Sequence, residues 1–336
     1  MFFSIIVPLY NRPEEIRELL QSLVHQTYRD FEVIVVEDGS TRDAKDVVEG
    51  FSGQLQVRYF YKRNEGQGFA RNYGFERAQG DYFIVFDSDV LVPEHYLTTV
   101  KSAIEERNLD AFGGADASHP SFTPVQKAIS YAMTSMLTTG GIRGSKVHVG
   151  QFHPRSFNMG ISRSVWEQTG GFKLARRSED IEFSIRMIRQ GFRVGLIAEA
   201  FVYHKRRSNF RQFFKQIYSF GKGRIDIAQL YPDEVKFVHL LPSLFVMGLG
   251  TLLTMNVLSV MFGADVRWLS YLCRFGNIFL VLYVISLFLH SWSKTKDLQV
   301  AVLSVVAAFT QLIAYGTGLM RNYLDRVLLQ RDTSRN

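Results

Sequence analysis

Apolar and polar positions along the first two hundred residues alternate between short, mostly apolar runs and stretches with helical spacing. Phe3 to Val7, apolar but for Ser4, is read as a short buried strand that closes at Pro8-Leu9-Tyr10-Asn11-Arg12. A helix is predicted next, with Pro13 at its first position, Glu14 and Glu15 in its first turn, and Ile16, Leu19, Leu20, Leu23 and Val24 on one face. A second run, Phe31 to Val36, ends in Glu37-Asp38-Gly39-Ser40. A third, Val57 to Tyr61, leads through Asn64-Glu65-Gly66-Gln67-Gly68 into a helix from about Phe69 to Ala78 that carries Arg71. Tyr82 to Phe86 holds no charge and runs into Asp87-Ser88-Asp89. Strands buried on both faces read in this way, and their succession with helices predicts a parallel α/β layout. At the end of the Tyr82 run Asp87 and Asp89 are expected on one side with Ser88 on the other, because strand side chains alternate. The carboxyl ends of these strands thus bring Tyr10, Asp38 and the aspartate pair to one edge, where open α/β sheets bind ligands.

Farther along the pattern changes. Gly113-Gly114 is read as the end of another strand, and Phe122 to Gly144 has only weak patterning and receives no role. Ser178-Glu179-Asp180-Ile181-Glu182 opens a helix with Ser178 as N-cap and Ile181, Ile185 and Ile188 as its buried face. A strand from Arg193 to Ile197 precedes Val202-Tyr203-His204. From Lys205 to Arg224 there are seven basic residues and no acidic one; Phe210, Phe213, Phe214 and Ile217 share one helix face, and Arg207, Arg211 and Lys215 another. That composition suits a helix lying in a membrane interface. Three apolar segments follow, about 238–262, 271–289 and 298–320, each near the roughly 20 residues that span a bilayer.

The chain therefore divides on paper into a soluble domain at 1–204, a basic amphipathic segment at 205–235, and membrane helices with a basic tail at 236–336. Arg274 would cost about 2.5–3.5 kcal/mol at the centre of a span and so marks an edge. Three crossings leave Arg321, Arg326, Arg331 and Arg335 opposite the soluble domain, against the positive-inside tendency. One segment is then re-entrant or interfacial, either the first, with Pro242 and its glycines, or the third, with Gln311, Gly316 and Gly318.

Charge and cysteine content narrow the chemistry. The net charge of +7 is concentrated just before the apolar segments, which fits a bilayer surface and not nucleic acid. Cys273 is the one cysteine, so no intrachain disulfide forms. No basic leader precedes the first apolar run, so no signal peptide is expected. No Cys-x-x-Cys pair, Ser-His-Asp series or Walker loop competes with the carboxylates. Two carboxylates on one side make a hard-cation site that suits a diphosphate, an aromatic such as Tyr10 stacks on a base, and a carboxylate such as Asp38 accepts from a base or ribose. Each also has a plainer reading, Tyr10 as a wedge under the sheet and Asp38 as a turn acid.

Taken in order, Ser4-Ile5-Ile6-Val7-Pro8-Leu9-Tyr10-Asn11, Val35-Val36-Glu37-Asp38-Gly39-Ser40-Thr41, Gly68-Phe69-Ala70-Arg71-Asn72-Tyr73-Gly74 and Phe86-Asp87-Ser88-Asp89 resemble the family 2 glycosyltransferases. The resemblance implies the GT-A fold, a Rossmann-like mixed sheet flanked by helices, here followed by C-terminal transmembrane or interfacial helices. It implies that Pro8, Tyr10, Asp38 and Arg71 surround the base of a nucleotide sugar, a UDP-sugar first among them, that Asp87 meets ribose and metal, and that Asp89 meets the metal, Mg2+ or Mn2+. Asn158-Met159-Gly160-Ile161-Ser162-Arg163, Gly170-Gly171-Phe172 and the Glu179-Asp180 pair resemble the acceptor side, with Asp180 as catalytic base and Glu179 beside it. His204 stands where a late histidine completes the metal shell in some GT-A enzymes, or is a loop histidine. Where the family commonly has two aspartates this chain has Glu37-Asp38. Arg267-Trp268 has Ala264 in place of the glutamine of processive members. The expected activity is inverting transfer to a lipid-linked saccharide at the cytoplasmic face of the cell inner membrane. Transfer to a polyprenyl phosphate, or a non-catalytic membrane scaffold or transport component, are the alternatives.

Overall fold

A computed structural model describes residues 1–117, 119–139, 152–262 and 267–331. Its elements in chain order are β1 (Phe3–Leu9), α1 (Pro13–Val24), β2 (Phe31–Asp38), α2 (Lys45–Glu49), β3 (Val57–Lys62), α3 (Gln67–Phe75), β4 (Tyr82–Phe86), β5 (Val90–Leu91), α4 (Tyr96–Arg107), β6 (Ala111–Ala117), α5 (Pro124–Thr134), α6 (Met136–Thr139), β7 (Asn158–Ser162), α7 (Arg163–Thr169), α8 (Glu179–Arg189), β8 (Val194–His204), α9 (Phe210–Leu230), α10 (Leu241–Phe262), α11 (Arg267–Thr295) and α12 (Leu298–Tyr323). They form two compact units, Met1–Pro120 with Lys146–Lys205, and Ser121–Ser145 with Arg206–Asn336.

The first unit is built on one sheet in the order β3-β2-β1-β4-β7-β6-β8-β5. β3, β2, β1 and β4 are parallel, as the apolar runs imply; β7 then runs antiparallel to β4 and β6, and β8 parallel to β6. Period-two alternation divides each buried strand between two cores. Ile5, Val7, Val33, Val35, Ile84 and Phe86 meet Leu19, Leu20, Leu97 and Val100 of α1 and α4 on one face. Ile6, Ile34, Val36, Phe83 and Val85 meet Ala70, Phe183 and Met187 of α3 and α8 on the other. A strand with both faces covered favours apolar residues, and Tyr82 to Phe86 holds five; where a polar side chain falls inside the layers it is paired, as Ser4 is with Glu32.

Four local expectations change. Gly113 and Gly114 lie inside β6, because Gly114 presses on the Asn158 side chain and the Ala200 carbonyl, where a Cβ would stand 2.0 Å from that oxygen. Asp87 and Asp89 belong to a turn between β4 and β5 and not to the strand itself. Ser178 precedes α8 but with φ +60° and no side-chain cap, so the helix start is held by tertiary contacts instead. The face α8 buries runs through Phe183, Ile185 and Met187, while Ile181 and Ile188 are half-buried.

In the second unit α12 is central. Phe213 and Ile217 of α9 pack with Ala128, Ile129 and Ala132 of α5 and with Val300, Ala307 and Ala314 of α12. The face assigned to a membrane interface is thus covered by two helices, leaving Phe214 and Phe220 exposed. α5, capped by Thr123 and Gln126 acting on each other's backbone amides, comes from the stretch that received no role and was counted within 1–204; it packs here because its alanines fit against α12. Leu241–Phe262, Trp268–Thr295 and Leu298–Leu328 are each long and apolar enough to cross a membrane. Ala264 and Arg335 lie outside the described residues.

Candidate active site

Five loops meet at the carboxyl edge of the parallel strands. Tyr10 leaves β1 with its ring 52 % exposed, so it is no wedge under the sheet; Pro8 is half-buried inside β1, opposite Val36. Asn11, at φ +53°, turns its Oδ1 to accept from the amides of Thr41 and Arg42 at 2.9 and 3.0 Å, which ties the loop after β1 to that after β2. Glu37 is buried and accepts from Ser40, Tyr59 and the Ala44 amide. Burial outweighs these bonds and pushes its pKa up. The longer acid at this position thus braces the 40–44 loop.

Asp38 accepts from Lys62 Nζ at 3.1 Å and from the amides of Glu65 and Gly66 at 3.0 and 2.8 Å. Its carboxylate shapes the turn that opens α3. Gly66 sits there at φ +105°, and a Cβ on Gly68 would stand 2.1 Å from the Leu174 carbonyl oxygen. The Gly-Gln-Gly sequence therefore lets α3 lean on the 174–175 backbone, where the Gly68 amide donates to Ala175 O at 2.8 Å.

That contact sets Arg71 between two acids. Arg71 is 1 % exposed; one of its terminal nitrogens donates to Asp87 Oδ1 and the other to Glu179 Oε1, each at 2.9 Å, and Phe172 lies 5.2 Å from the guanidinium carbon. Its two terminal nitrogens thus each hold a carboxylate, while its Nε is buried without a hydrogen-bond partner among the described residues. Glu179, 3 % exposed, also accepts from Gln67. Burial, and after it the charge on Asp180, raises its pKa to about 7 in spite of Arg71. Asp180 is half-buried, takes the Ile181 amide on Oδ1, and has Arg155 at 3.8 Å from Oδ2. Glu182 is spent on Arg186, which in turn bonds the carbonyls of Thr169 and Gly171.

Asp87, Asp89 and His204 offer ligand atoms that all lie within 4.8 Å of one another. Strand pairing explains the meeting: β5 runs antiparallel to β8 with Val90 opposite His204, so the residue before Val90 lies beside the imidazole. His204 Nε2 is 3.3 Å from Asp89 Oδ1, Phe157 stacks on the ring, and Nδ1 is buried without a hydrogen-bond partner. Arg12 reaches Asp89 Oδ2 at 2.5 Å. Burial alone would raise the Asp89 pKa; His204 and then Arg12 outweigh it and hold it well below the usual carboxylate range. Two carboxylates and an imidazole within reach of one point, one of them with an orphaned nitrogen, fit a divalent cation.

Arg12, Arg155, Gln67 and Phe157 received no role from the sequence. Arg12 was the findable one, since it follows Tyr10 in the loop at the same sheet edge. Arg155 and Phe157 enter only through pairing of β7 with β4.

These features define a nucleotide-type α/β domain with acids gathered at its ligand edge, and the comparisons agree. The profile described as Glycosyl transferase family 2 matches residues 4–178. The chain belongs to that family. An uncharacterized glycosyltransferase of Rickettsia bellii is 37 % identical over 105 residues, covering 31 % of this chain and 15 % of that protein. EpsJ of Bacillus subtilis, also an uncharacterized glycosyltransferase, is 25 % identical over 213 residues, 61 % of each chain. The chain thus spans less than two thirds of these relatives. The mannosyltransferase PcManGT of Pyrobaculum calidifontis, solved with GDP-Man and Mn2+, has the same fold, with a TM-score of 0.63 at 16 % identity over 91 % of this chain and 86 % of that one. Glu179, Asp180 and His204 lie beyond the family match.

Proposed function

We propose that this chain is a metal-dependent, inverting glycosyltransferase that moves a sugar from a nucleoside-diphosphate sugar, a UDP-sugar first, to a hydroxyl of a lipid-linked saccharide. It would work at the cytoplasmic face of the cell inner membrane. The observation that carries the reading is the junction at Arg71, where one buried guanidinium links the Asp87–Asp89–His204 cluster to the Glu179–Asp180 pair. Displacement with inversion needs charge neutralisation at the leaving diphosphate and a base on the opposite face of the sugar.

Asp87, Asp89 and His204 would hold Mg2+ or Mn2+, which when bound supplies that neutralisation. The GDP-Man and Mn2+ in PcManGT support the pairing of donor and cation. Of the two acids at the start of α8, Glu179 is occupied by Arg71 and Gln67, whereas among the described residues the second oxygen of Asp180 has Arg155 at 3.8 Å. That division favours Asp180 as the base that takes the acceptor's proton, with Glu179 on the acceptor side as its support. The exposed ring of Tyr10 supports base stacking, with Pro8 behind it, and Asp38 acts by fixing the turn that carries Arg71.

Calorimetry of the full chain in detergent, with UDP-sugars and GDP-sugars in the presence and absence of Mn2+, tests the reading. Asp89→Ala should lose metal-dependent donor binding, and tight metal-dependent binding by that variant overturns the cation assignment. A panel of labelled nucleotide sugars on membranes, followed by lipid extraction, tests the acceptor class separately; label that never becomes lipid-extractable overturns it.

A further inference from the structure

The three long helices of the second unit are alike in hydropathy and unlike in surroundings. Leu241–Phe262 and Trp268–Thr295 are both strongly apolar, and 0 % and 11 % of their apolar stretches are buried. Leu298–Leu328 is as apolar, but 39 % of its apolar stretch is buried, and between 307 and 320 no residue is exposed. At about 1.5 Å per residue the first two helices are about 33 and 42 Å long, enough for a hydrocarbon layer of about 30 Å.

α10 and α11 are bound to each other by side chains suited to an apolar solvent. Asn256 and Asn277 exchange hydrogen bonds at 3.3 and 2.9 Å, Ser259 meets Ser270 at 3.2 Å, and Gly276 lets Leu252 approach. Exposed Trp268 and Tyr271 mark one end of α11 and exposed Trp292 the other, with the tryptophans about 36 Å apart along the axis at about 1.5 Å per residue. Arg274 lies inside α11 and not at its edge; it is exposed less than two turns from Trp268, close enough for its stem to carry the charge back to that end.

α12 has different company. α9 runs alongside it: Phe214 faces Thr310 and Ile313, Gly221 lies on the Tyr315 and Leu319 backbones, and Asn322 donates to Lys222 O and Asp226. The exposed Arg211 and Lys215 of α9 therefore stand level with the middle of α12. Were α12 a span, those two cations would face lipid at mid-depth, the costliest place for them.

We propose that α10 and α11 form a hairpin whose outer surface is occupied by bilayer hydrocarbon and which crosses the membrane twice, while α12 does not cross and serves as the core helix of the polar part of this unit. The chain after α12 then returns to the side from which α10 enters. Lys294, Lys296, Arg321, Arg326 and Arg331 then lie on that one side, against Arg267 and Arg274 at the other, in keeping with the positive-inside tendency. This conclusion is independent of the sugar chemistry.

Single cysteines at Trp268, Ser293 and Leu328, placed in a full-length Cys273→Ser background, test it with a membrane-impermeant maleimide on sealed vesicles whose Ser293 side is outward. Ser293→Cys and Leu328→Cys should label before permeabilisation and Trp268→Cys only after it. If Leu328→Cys labels only after permeabilisation, α12 crosses and the proposal is overturned. If Trp268→Cys labels together with Ser293→Cys, the hairpin does not cross, and the proposal is overturned from the other end. Should a cysteine variant fail to accumulate, protease access to an epitope fused after Asn336 in the same vesicles decides the side of the C-terminus.

Discussion

Replacing Glu179 by Gln isolates the acid of the site whose pKa burial raises to about 7. Glu179 has a pKa of about 7 in the folded chain against an ordinary 4.5, because burial and the neighbouring Asp180 charge outweigh the attraction of Arg71. Between those two values the folded protein keeps a proton that the unfolded chain has released, so stability falls as pH rises through this window. At about 1.4 kcal/mol per pH unit the loss approaches 3 kcal/mol by neutral pH, and below about pH 4.5 it vanishes because both states are protonated. The Gln side chain carries no titrating proton, so the variant should lack this slope, whatever offset it shows from weakening the ion pair with Arg71. Urea unfolding of the detergent-solubilised full chain at intervals from pH 5 to pH 8 measures it. Trp166, whose ring lies 5.7 Å from that of Phe83 in the core shared with α8, reports on this unit once Trp268 and Trp292 are replaced by Phe. The stability of wild type minus that of Glu179→Gln should decline by roughly 2–3 kcal/mol between pH 5 and pH 8. A flat difference refutes the proton on Glu179, and a rising one refutes the sign.

Asp180→Asn should lower turnover by roughly 10²- to 10⁴-fold with donor affinity near wild type if the acceptor is a hydroxyl. Nearly full turnover would instead favour an acceptor that is already ionised, such as a polyprenyl phosphate. Arg12→Gln should tighten Mn2+ binding in calorimetry by up to about fivefold, since the half-exposed ion pair that a cation must displace from Asp89 is worth up to about 1 kcal/mol; weaker binding would mean that Arg12 helps to build the cation site.

The parallel half of the sheet was legible because strands buried on both faces leave a plain apolar signature, as in Phe3–Leu9 and Tyr82–Phe86. The meeting of His204 with Asp89 was not, since it depends on the antiparallel register of two short strands far apart in sequence, which no local pattern encodes. The location of Arg71 at the edge was legible from its motif, whereas its partners were not: a side chain that reads as a donor for a ligand also joins Asp87 to Glu179. The departure at Glu37 likewise reads as a conservative swap until the structure gives it Ser40, Ala44 and Tyr59 to hold.

The membrane part shows the same limit in another form. Hydropathy measures what a segment would tolerate around it and not what surrounds it, so α10, α11 and α12 score alike. What separates them is side-chain size. α12 carries Ala301, Ser304, Ala307, Ala308, Ala314, Gly316 and Gly318 among its buried positions, and such residues let other backbones come close, as Tyr218 does at Gly318 and Pro242 at Gly316. α10 has few such contacts, and Gly248 and Gly250 have open space before them. Small residues spread along a helix that scores as a span thus point to protein neighbours, and where those neighbours carry exposed Arg211 and Lys215, the helix they cover lies outside the hydrocarbon.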